Sequence, residues 1–405
     1  MRILFAAYCV VNNENGDSLI GVYKRALRIG LEMVRRGHEV WMVCPGRERY
    51  HDDLSHEAES CIQFLDVPLD VLFCRSNKVK QGYYRMAFQK LRLDLVVVGE
   101  APLAGNLLDS ALCGLSLGIR LVVLDNAFSP WLSRISVLLH GSMFDGIVLT
   151  GPSYLQMHRP PKYYCGVPPY IEGSAAEAEA LLDQSCFRPQ RLITVLGYEK
   201  KAQGVATALL PTLVQHGCAA VFLTPDPQEA RERVASLPQS VAKSILVLPP
   251  PSENLLFGLL QRSSLVIGKC GFMQISECLS LGTPFLGINY RGCFPLRLLP
   301  KRVRRFVHAT DTIEIDRATV DAAVRLVQIP REEIRGNQND KFGARAMVAD
   351  FLEGLPAARR NRTGGFVHYH KYHTLHFITD ISEQLYFGMK TAANSAAQLF
   401  RPTRQ

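Results

Sequence analysis

Nowhere in this chain do apolar side chains run unbroken for the ~18 positions that a bilayer-spanning helix needs, so no membrane span is predicted. The sequence also lacks a C-x-x-C pair. Its eleven cysteines, an odd number, fall mostly inside apolar stretches, as Cys44, Cys113, Cys218 and Cys278 do. That is how reduced, buried thiols are placed, and it favours a cytoplasmic protein over a disulfide framework. No short repeat divides the chain, and no basic stretch is interleaved with a known nucleic-acid reader motif, which excludes nucleic acid as the expected partner. The opening MRILFAAYCVV is too short an apolar run for a signal peptide, carries an arginine, and passes into NNENGD without a small-residue cleavage pattern. It reads instead as a first buried strand.

What is present describes a soluble globular protein: 47% hydrophobic and 20% charged residues. At 405 residues the chain exceeds what one core organises and suits two domains. The net charge of +9 implies an anionic partner. Phosphorylated small molecules and anionic membrane surfaces satisfy that charge as well as nucleic acid does.

Strand and helix signals alternate along the first half. RILFAAY, EVWMVC, DLVVVGE (94–100), IRLVVLDN (119–126) and GIVLTG (146–151) are continuous apolar runs, the pattern of parallel strands covered on both faces. SLIGVYKRALRIGLEMVRR is helical and closes at Gly37, and further helices are predicted near 80–91, 103–117 and 130–140. GVPPYIEGSAAEAEALLDQSCFRPQ has a Pro-Pro break, small acidic residues and no strand pattern, and is assigned as an inter-domain linker. A second alternation follows: RLITVLG, helix 203–216, AAVFLT, helix 226–236, SILVLP, helix 253–261, SLVIG, helix 272–281 and PFLGI. The signal then fades into RLLPKRVRRF before helical segments around 317–327 and 341–354. The expected architecture is α/β, two doubly wound Rossmann-like domains facing a cleft, with ligands at the carboxyl ends of the strands. The boundaries are 1–168, a linker at 169–190, 191–365, and a helical extension at 366–405 that returns to the first domain.

The stretch GKCGFMQISECLSLGTPFLGI (268–288) carries the chemistry. A strand delivers the chain to Gly271 and a helix begins at once. The first N–H groups of a helix have no intrahelical partner, and the helix dipole adds partial positive charge. With no Cβ on Gly271, the backbone of Gly271, Phe272 and Met273 can approach a phosphate. Glu277 follows roughly 9 Å along the axis, the reach of a carboxylate that grips ribose hydroxyls while a diphosphate sits at the helix start. The plainer alternative is a tight strand-to-helix turn and a solvated glutamate.

LVIGKCGFMQISECLSLGTPFLGI resembles the C-terminal nucleotide-sugar motif of GT-B glycosyltransferases, especially those related to family 28, which includes the N-acetylglucosaminyltransferase that makes lipid II. RLITVLGYEKKAQGVATALLPTLVQHG resembles that family's first C-domain strand, phosphate-side loop and helix. DLVVVGE, GIRLVVLDNAF and FDGIVLTGPSY resemble its N-domain strands, and YYCGVPPY its linker. The likeness covers roughly residues 1–290. It implies that Glu277 binds the ribose and that Gly271, Phe272 and Met273 line the nucleotide. The donor would be a nucleoside-diphosphate sugar, a UDP-sugar by preference, and the acceptor a hydroxyl, including one carried on a lipid. No cofactor or metal is called for, and inversion by direct displacement is the expected course. The same cradle would serve a nucleotide-sugar hydrolase or 2-epimerase, or a non-catalytic nucleotide-sugar-binding subunit.

In relatives the helix after the first strand often begins Gly-His-x-x-Arg-Ala-Leu, and some inverting members use that histidine as base. Here the segment is Gly21-Val22-Tyr23-Lys24-Arg25-Ala26-Leu27, and Val22 cannot take a proton. Carboxylates in loops at the strand ends are the replacements: Asp17 first, then Glu100, then Asp125, with Glu14 also nearby. Each has a structural reading too, Asp17 as a helix cap. Gly197 and Tyr198 end the first strand of the second half, and Lys200, Lys201 and Lys269 are placed to neutralise a diphosphate or simply to face water. Arg297, Lys301, Arg302, Arg304 and Arg305 suit either a peripheral contact with an anionic membrane or an ordinary basic face. His368, His370, His373 and His376 lie close in sequence, but no cysteine or acid accompanies them, and no metal site is assigned.

Overall fold

The computed structural model describes residues 1–9, 21–49, 53–72, 77–99, 106–126, 144–150, 175–185, 187, 189–198, 200–288, 304–310, 315–335 and 344–355. The first half contains β1 (Arg2–Ala6), α1 (Gly21–Arg35), β2 (Glu39–Val43), α2 (Asp53–Cys61), β3 (Gln63–Phe64), α3 (Leu69–Leu72), α4 (Asn77–Leu91), β4 (Leu95–Val98), α5 (Asn106–Ser116), β5 (Arg120–Asn126) and β6 (Gly146–Thr150). The second contains α6 (Ala175–Gln184), β7 (Arg191–Leu196), α7 (Lys200–Gln215), β8 (Cys218–Leu223), α8 (Pro227–Ala235), α9 (Gln239–Ala242), β9 (Ile245–Leu248), α10 (Glu253–Arg262), β10 (Ser263–Lys269), α11 (Phe272–Ser280), β11 (Phe285–Ile288), β12 (Val307–Thr310), α12 (Arg317–Val327), α13 (Arg331–Arg335) and α14 (Ala344–Glu353).

The unbroken apolar strands are explained by what covers them. Ile3 and Phe5 of β1 enter one core while Leu4 and Ala6 enter another on the opposite face. Leu192 and Leu196 of β7 part from Ile193 and Val195 in the same way. A strand buried on both faces has no polar side to display, so alternation disappears from its sequence. The strand pairs are parallel, and the two sheets run β3-β2-β1-β4-β5-β6 and β12-β11-β10-β7-β8-β9. Each chain half steps outward from its first strand, then returns to that strand's other side. The reversals fall between β1 and β4 and between β7 and β10, where ligand crevices open at the carboxyl ends of such sheets.

Gly37 ends α1 at φ +82, and Gly282 ends α11 at φ +75. The N–H of Thr283 donates to the carbonyl of Cys278 at 2.8 Å, which closes the helix before β11.

Several expectations differ from the fold. The assigned linker contains α6, whose Ala178 and Leu182 are buried in the second domain's core, so the stretch from Ala175 belongs to that domain. Among the described residues, the last helix packed on the second domain's core is α13, through Ile334. Val348, Ala349, Leu352 and Leu355 join the first domain's core beside α1, so α14 returns to that domain. The 366–405 segment, like the histidine group within it, lies outside the described residues. A strand, β12, forms where the signal faded; Arg304 and Arg305 lead into it, and Arg305 pairs with Glu333 at 3.0 Å. The other three residues of that basic run lie outside the described residues, as does the predicted helix near 130–140. Cys9, Cys44, Cys113, Cys218 and Cys278 are buried free thiols, but Cys270, where β10 turns into α11, is disulfide-bonded, so the reduced-thiol reading fails there. No helix among the described residues is long and apolar enough to cross a membrane.

Candidate functional site

At the reversal in the second sheet, β7 and β10 are hydrogen-bonded neighbours, with Ile267 beside Val195. Their carboxyl ends therefore bring together two segments that are far apart in sequence: Gly197-Tyr198 and Lys269-Cys270-Gly271. Gly197 is enclosed, since a Cβ there would lie 2.5 Å from the Phe222 ring and 3.0 Å from the Leu223 carbonyl. Gln203 braces the turn, donating from Nε2 to the Gly197 carbonyl at 2.8 Å and to Thr224 Oγ1 at 3.2 Å. Tyr198 is exposed at the rim. Lys200 and Lys201 start α7, whose first turn faces the same end of the sheet.

Gly271 caps α11 at φ −95 and ψ 147 with no side-chain hydrogen bond to the helix start. Among the described residues, an added Cβ would touch only Gln274 Oε1 at 3.8 Å and the Lys269 carbonyl at 4.0 Å, both ordinary contacts. Neither packing nor backbone conformation requires glycine here, unlike at Gly197. Among the described residues no side chain caps this helix start. One detail differs from expectation: the Gly271 N–H donates to the Lys269 carbonyl at 2.7 Å, so the free donors begin with Phe272 and Met273. Gln274 Oε1 is buried beside them and has no hydrogen-bond partner among the described residues.

Glu277 is not a solvated helix residue. It is 8% exposed, and its Oε1 accepts from Arg28 Nη1 of α1 at 3.3 Å. The same guanidinium grips Glu253, the first residue of α10, through Nε to Oε2 at 3.3 Å and Nη2 to Oε1 at 2.7 Å. Lys24 Nζ joins Glu253 Oε1 at 3.1 Å. The middle of α1, the start of α10 and the second half of α11 thus meet between the two domains. Loss of water pushes the Glu277 carboxyl above the ordinary range, with Glu253 adding to the rise and Arg28 opposing it. Burial acts the same way on Glu253, but Arg28 and Lys24 outweigh it and hold that group below the usual carboxylate value. Their attraction in turn raises the Arg28 guanidinium against its own desolvation.

Arg28, Lys24, Glu253, Gln203 and Gln274 were not singled out in the sequence. The one signal was Arg28 itself, a charge on the α1 face that carries Leu27 and Leu31. Of the candidate bases, Asp17 and Glu100 lie outside the described residues, and Asp125 occupies the carboxyl end of β5, next to β4. Val22 has a packing explanation. It is 5% exposed, and its Cγ1 fills the space where a Cβ on Gly99 would lie only 2.5 Å away. It seals the crevice between β1 and β4, where the Gly99 N–H donates to the Ala6 carbonyl at 2.8 Å. Among the described residues no group of three histidine, cysteine, aspartate or glutamate side chains could hold a metal ion.

No family model matches the sequence, and no curated protein matches it. Solved structures do match. A glycosyltransferase of kitacinnamycin superposes with a TM-score of 0.59 at 13% identity, over 88% of this chain and 99% of its own. MurG of Acinetobacter baumannii gives 0.57 at 12%, over 87% and 99%. The chain has the GT-B fold. A third protein similar to this GT-B chain is the UDP-GlcNAc 2-epimerase of Neisseria meningitidis bound to UDP-GlcNAc, with a TM-score of 0.55 at 13% identity, over 87% and 100%. In GT-B terms, the β7/β10 crevice and the start of α11 belong to the C-terminal domain, and Arg28 and Lys24 reach it from the N-terminal one.

Proposed function

We propose that this chain is a glycosyltransferase that moves a sugar from a nucleoside-diphosphate donor, preferentially a UDP-sugar, to a hydroxyl acceptor bound by the N-terminal domain. The observation that carries the reading is the uncapped start of α11 with Glu277 buried behind it. Backbone donors at Phe272 and Met273 take the diphosphate, and the Glu277 carboxylate takes the ribose hydroxyls. Lys200, Lys201 and Lys269 add positive charge where the diphosphate leaves, so that helix-terminus amides and cations stabilise the departing group. An acceptor hydroxyl attacks the anomeric carbon as a carboxylate accepts its proton; Asp17 is the first choice, Glu100 and Asp125 the next. The resemblance to family 28 favours inversion by direct displacement.

The test is a thermal-shift panel of UDP, GDP, dTDP and CDP conjugates. UDP conjugates should give the largest rise in Tm, and Glu277→Ala should abolish it. Gly271→Ala, which the fold accommodates, should retain the unliganded Tm and lose most of the shift. A full shift in both variants removes this helix start from the site. The likeness to a UDP-GlcNAc 2-epimerase supports a second reading on the same cradle. Turnover of the nucleotide sugar with no acceptor present would select it.

A further inference from the structure

Between the domains, one buried arginine serves two buried carboxylates. The Arg28 side chain is 3% exposed, those of Glu253 and Glu277 13% and 11%. Glu253 alone saturates the fork of the guanidinium, taking Nε and Nη2 together, and Lys24 reinforces it. The Phe257 ring lies 5.4 Å from the guanidinium carbon and limits its tilt. An ion pair whose only purpose was to dock the domains would be complete at that point. Instead, the remaining edge, Nη1, is spent on Glu277. A second carboxylate without water is costly, and one arginine shared between two acids does not offset that cost fully. Among the described residues Arg28 is the group that donates a hydrogen bond to the Glu277 carboxylate, and it does so to Oε1.

We propose that Arg28 is a positioning residue for Glu277: Glu253 fixes the guanidinium, and Nη1 orients the Glu277 carboxylate and keeps it ionised for the pentose of the nucleotide. The inference rests on the reading of Glu277 as the ribose ligand. Because the arginine comes from the N-terminal domain, the grip on the nucleotide is complete only when the two domains are docked. By linkage, nucleotide binding strengthens the docking by the same factor.

The probe is UDP, titrated calorimetrically into the full chain and into Arg28→Met, Arg28→Lys and Glu277→Ala variants, each checked for folding by circular dichroism. Loss of a charge-assisted bond to a buried carboxylate predicts UDP affinity at least about tenfold weaker in Arg28→Met. The pH profile separates positioning from simple packing. Glu277 is faced by Arg28 and Lys24 of α1 and by Glu253 of α10, and with Arg28 removed the repulsion from Glu253 outweighs the attraction of Lys24. UDP binding by Arg28→Met should therefore fail at a higher pH than in the parent as pH falls. Arg28→Lys, which keeps the charge but cannot span both carboxylates, should restore the parental pH profile with affinity only partly recovered. Parental affinity and pH profile in Arg28→Met, with Glu277→Ala inactive in binding, overturn the inference and leave the ribose assignment standing. UDP binding intact in Glu277→Ala overturns both. Should Arg28→Met not fold, parental UDP affinity in Arg28→Lys is the overturning result.

Discussion

At the scale of the residue, Glu277 in its proposed role is a binding group that works against the fold that holds it. Its carboxyl is pushed above the ordinary value of 4.5 by burial first and by Glu253 next, with Arg28 pulling back. A carboxyl raised in the folded state favours folding in its protonated form. Its contribution is fully present below 4.5 and is lost as pH rises through the raised value, so near neutrality the ionised group costs stability. Glu277→Gln removes that charge while Glu253 still holds Arg28. The expected outcome is an unliganded protein at least as stable as the parent in urea, with an advantage that grows between about pH 5 and about pH 8, and no response to UDP. Unfolding curves at both pH values, with and without UDP, check it. A variant that loses stability equally at both would mean that the ionised carboxylate helps the fold. Glu277 was legible in the sequence because its spacing from a strand-helix glycine is local. Its burial was not, since the residue that buries it belongs to another domain.

Elements were legible in proportion to the strength of their own period. The helix expected at 317–327 forms over Arg317–Val327, where apolar residues recur on one face, and Asp316 caps it by accepting from the Thr319 N–H at 2.8 Å. α6 was missed because only Ala178 and Leu182 are buried on an otherwise small and acidic helix, too narrow a stripe to stand out. β12 was missed because it is only four residues long, has the half-buried His308 and Ala309 at its centre and follows a basic run. α14 was read as a helix, but its destination was not readable: Val348, Ala349 and Leu352 look alike whichever domain they pack against. Leu352 is fully buried in the first domain's core. Leu352→Ala should therefore destabilise that domain by about 2–5 kcal/mol, as buried leucine truncations do. Hydrogen exchange should quicken in α1 and β1 while α7 and β8 keep their protection. Loss of protection in the second domain instead would place α14 with the wrong core.

On the scale of the whole molecule, two doubly wound parallel sheets were legible from the alternation of apolar runs and helices, because each βα step is a local pattern; their strand order was not. The contact that joins the halves was not. Arg28 and Glu253 stand 225 positions apart, and neither is unusual in its own neighbourhood. Glu253 sits below the ordinary carboxylate range because Arg28 and Lys24 outweigh its desolvation. Its share of stability is present above 4.5 and lost as pH falls through the lowered value. Glu253→Ala should destabilise the docked protein, by less than the about 3–5 kcal/mol of a buried charge that loses its whole partner, because Arg28 keeps Glu277. Hydrogen exchange should rise together in α1 and α10, and the radius of gyration in solution should increase as the domains part. An unchanged radius with parental exchange would show that the domains are held by something other than these charges.

The crossing of Arg28 into the opposite half also bears on how proteins of this architecture can be recombined. Cutting between the halves and grafting a foreign N-terminal module would take from Glu253 and Glu277 the cations that pair with them among the described residues. A chimera that looks sound at the junction would then lose the grip on the nucleotide proposed above, unless the incoming first helix carries an arginine two turns from its beginning.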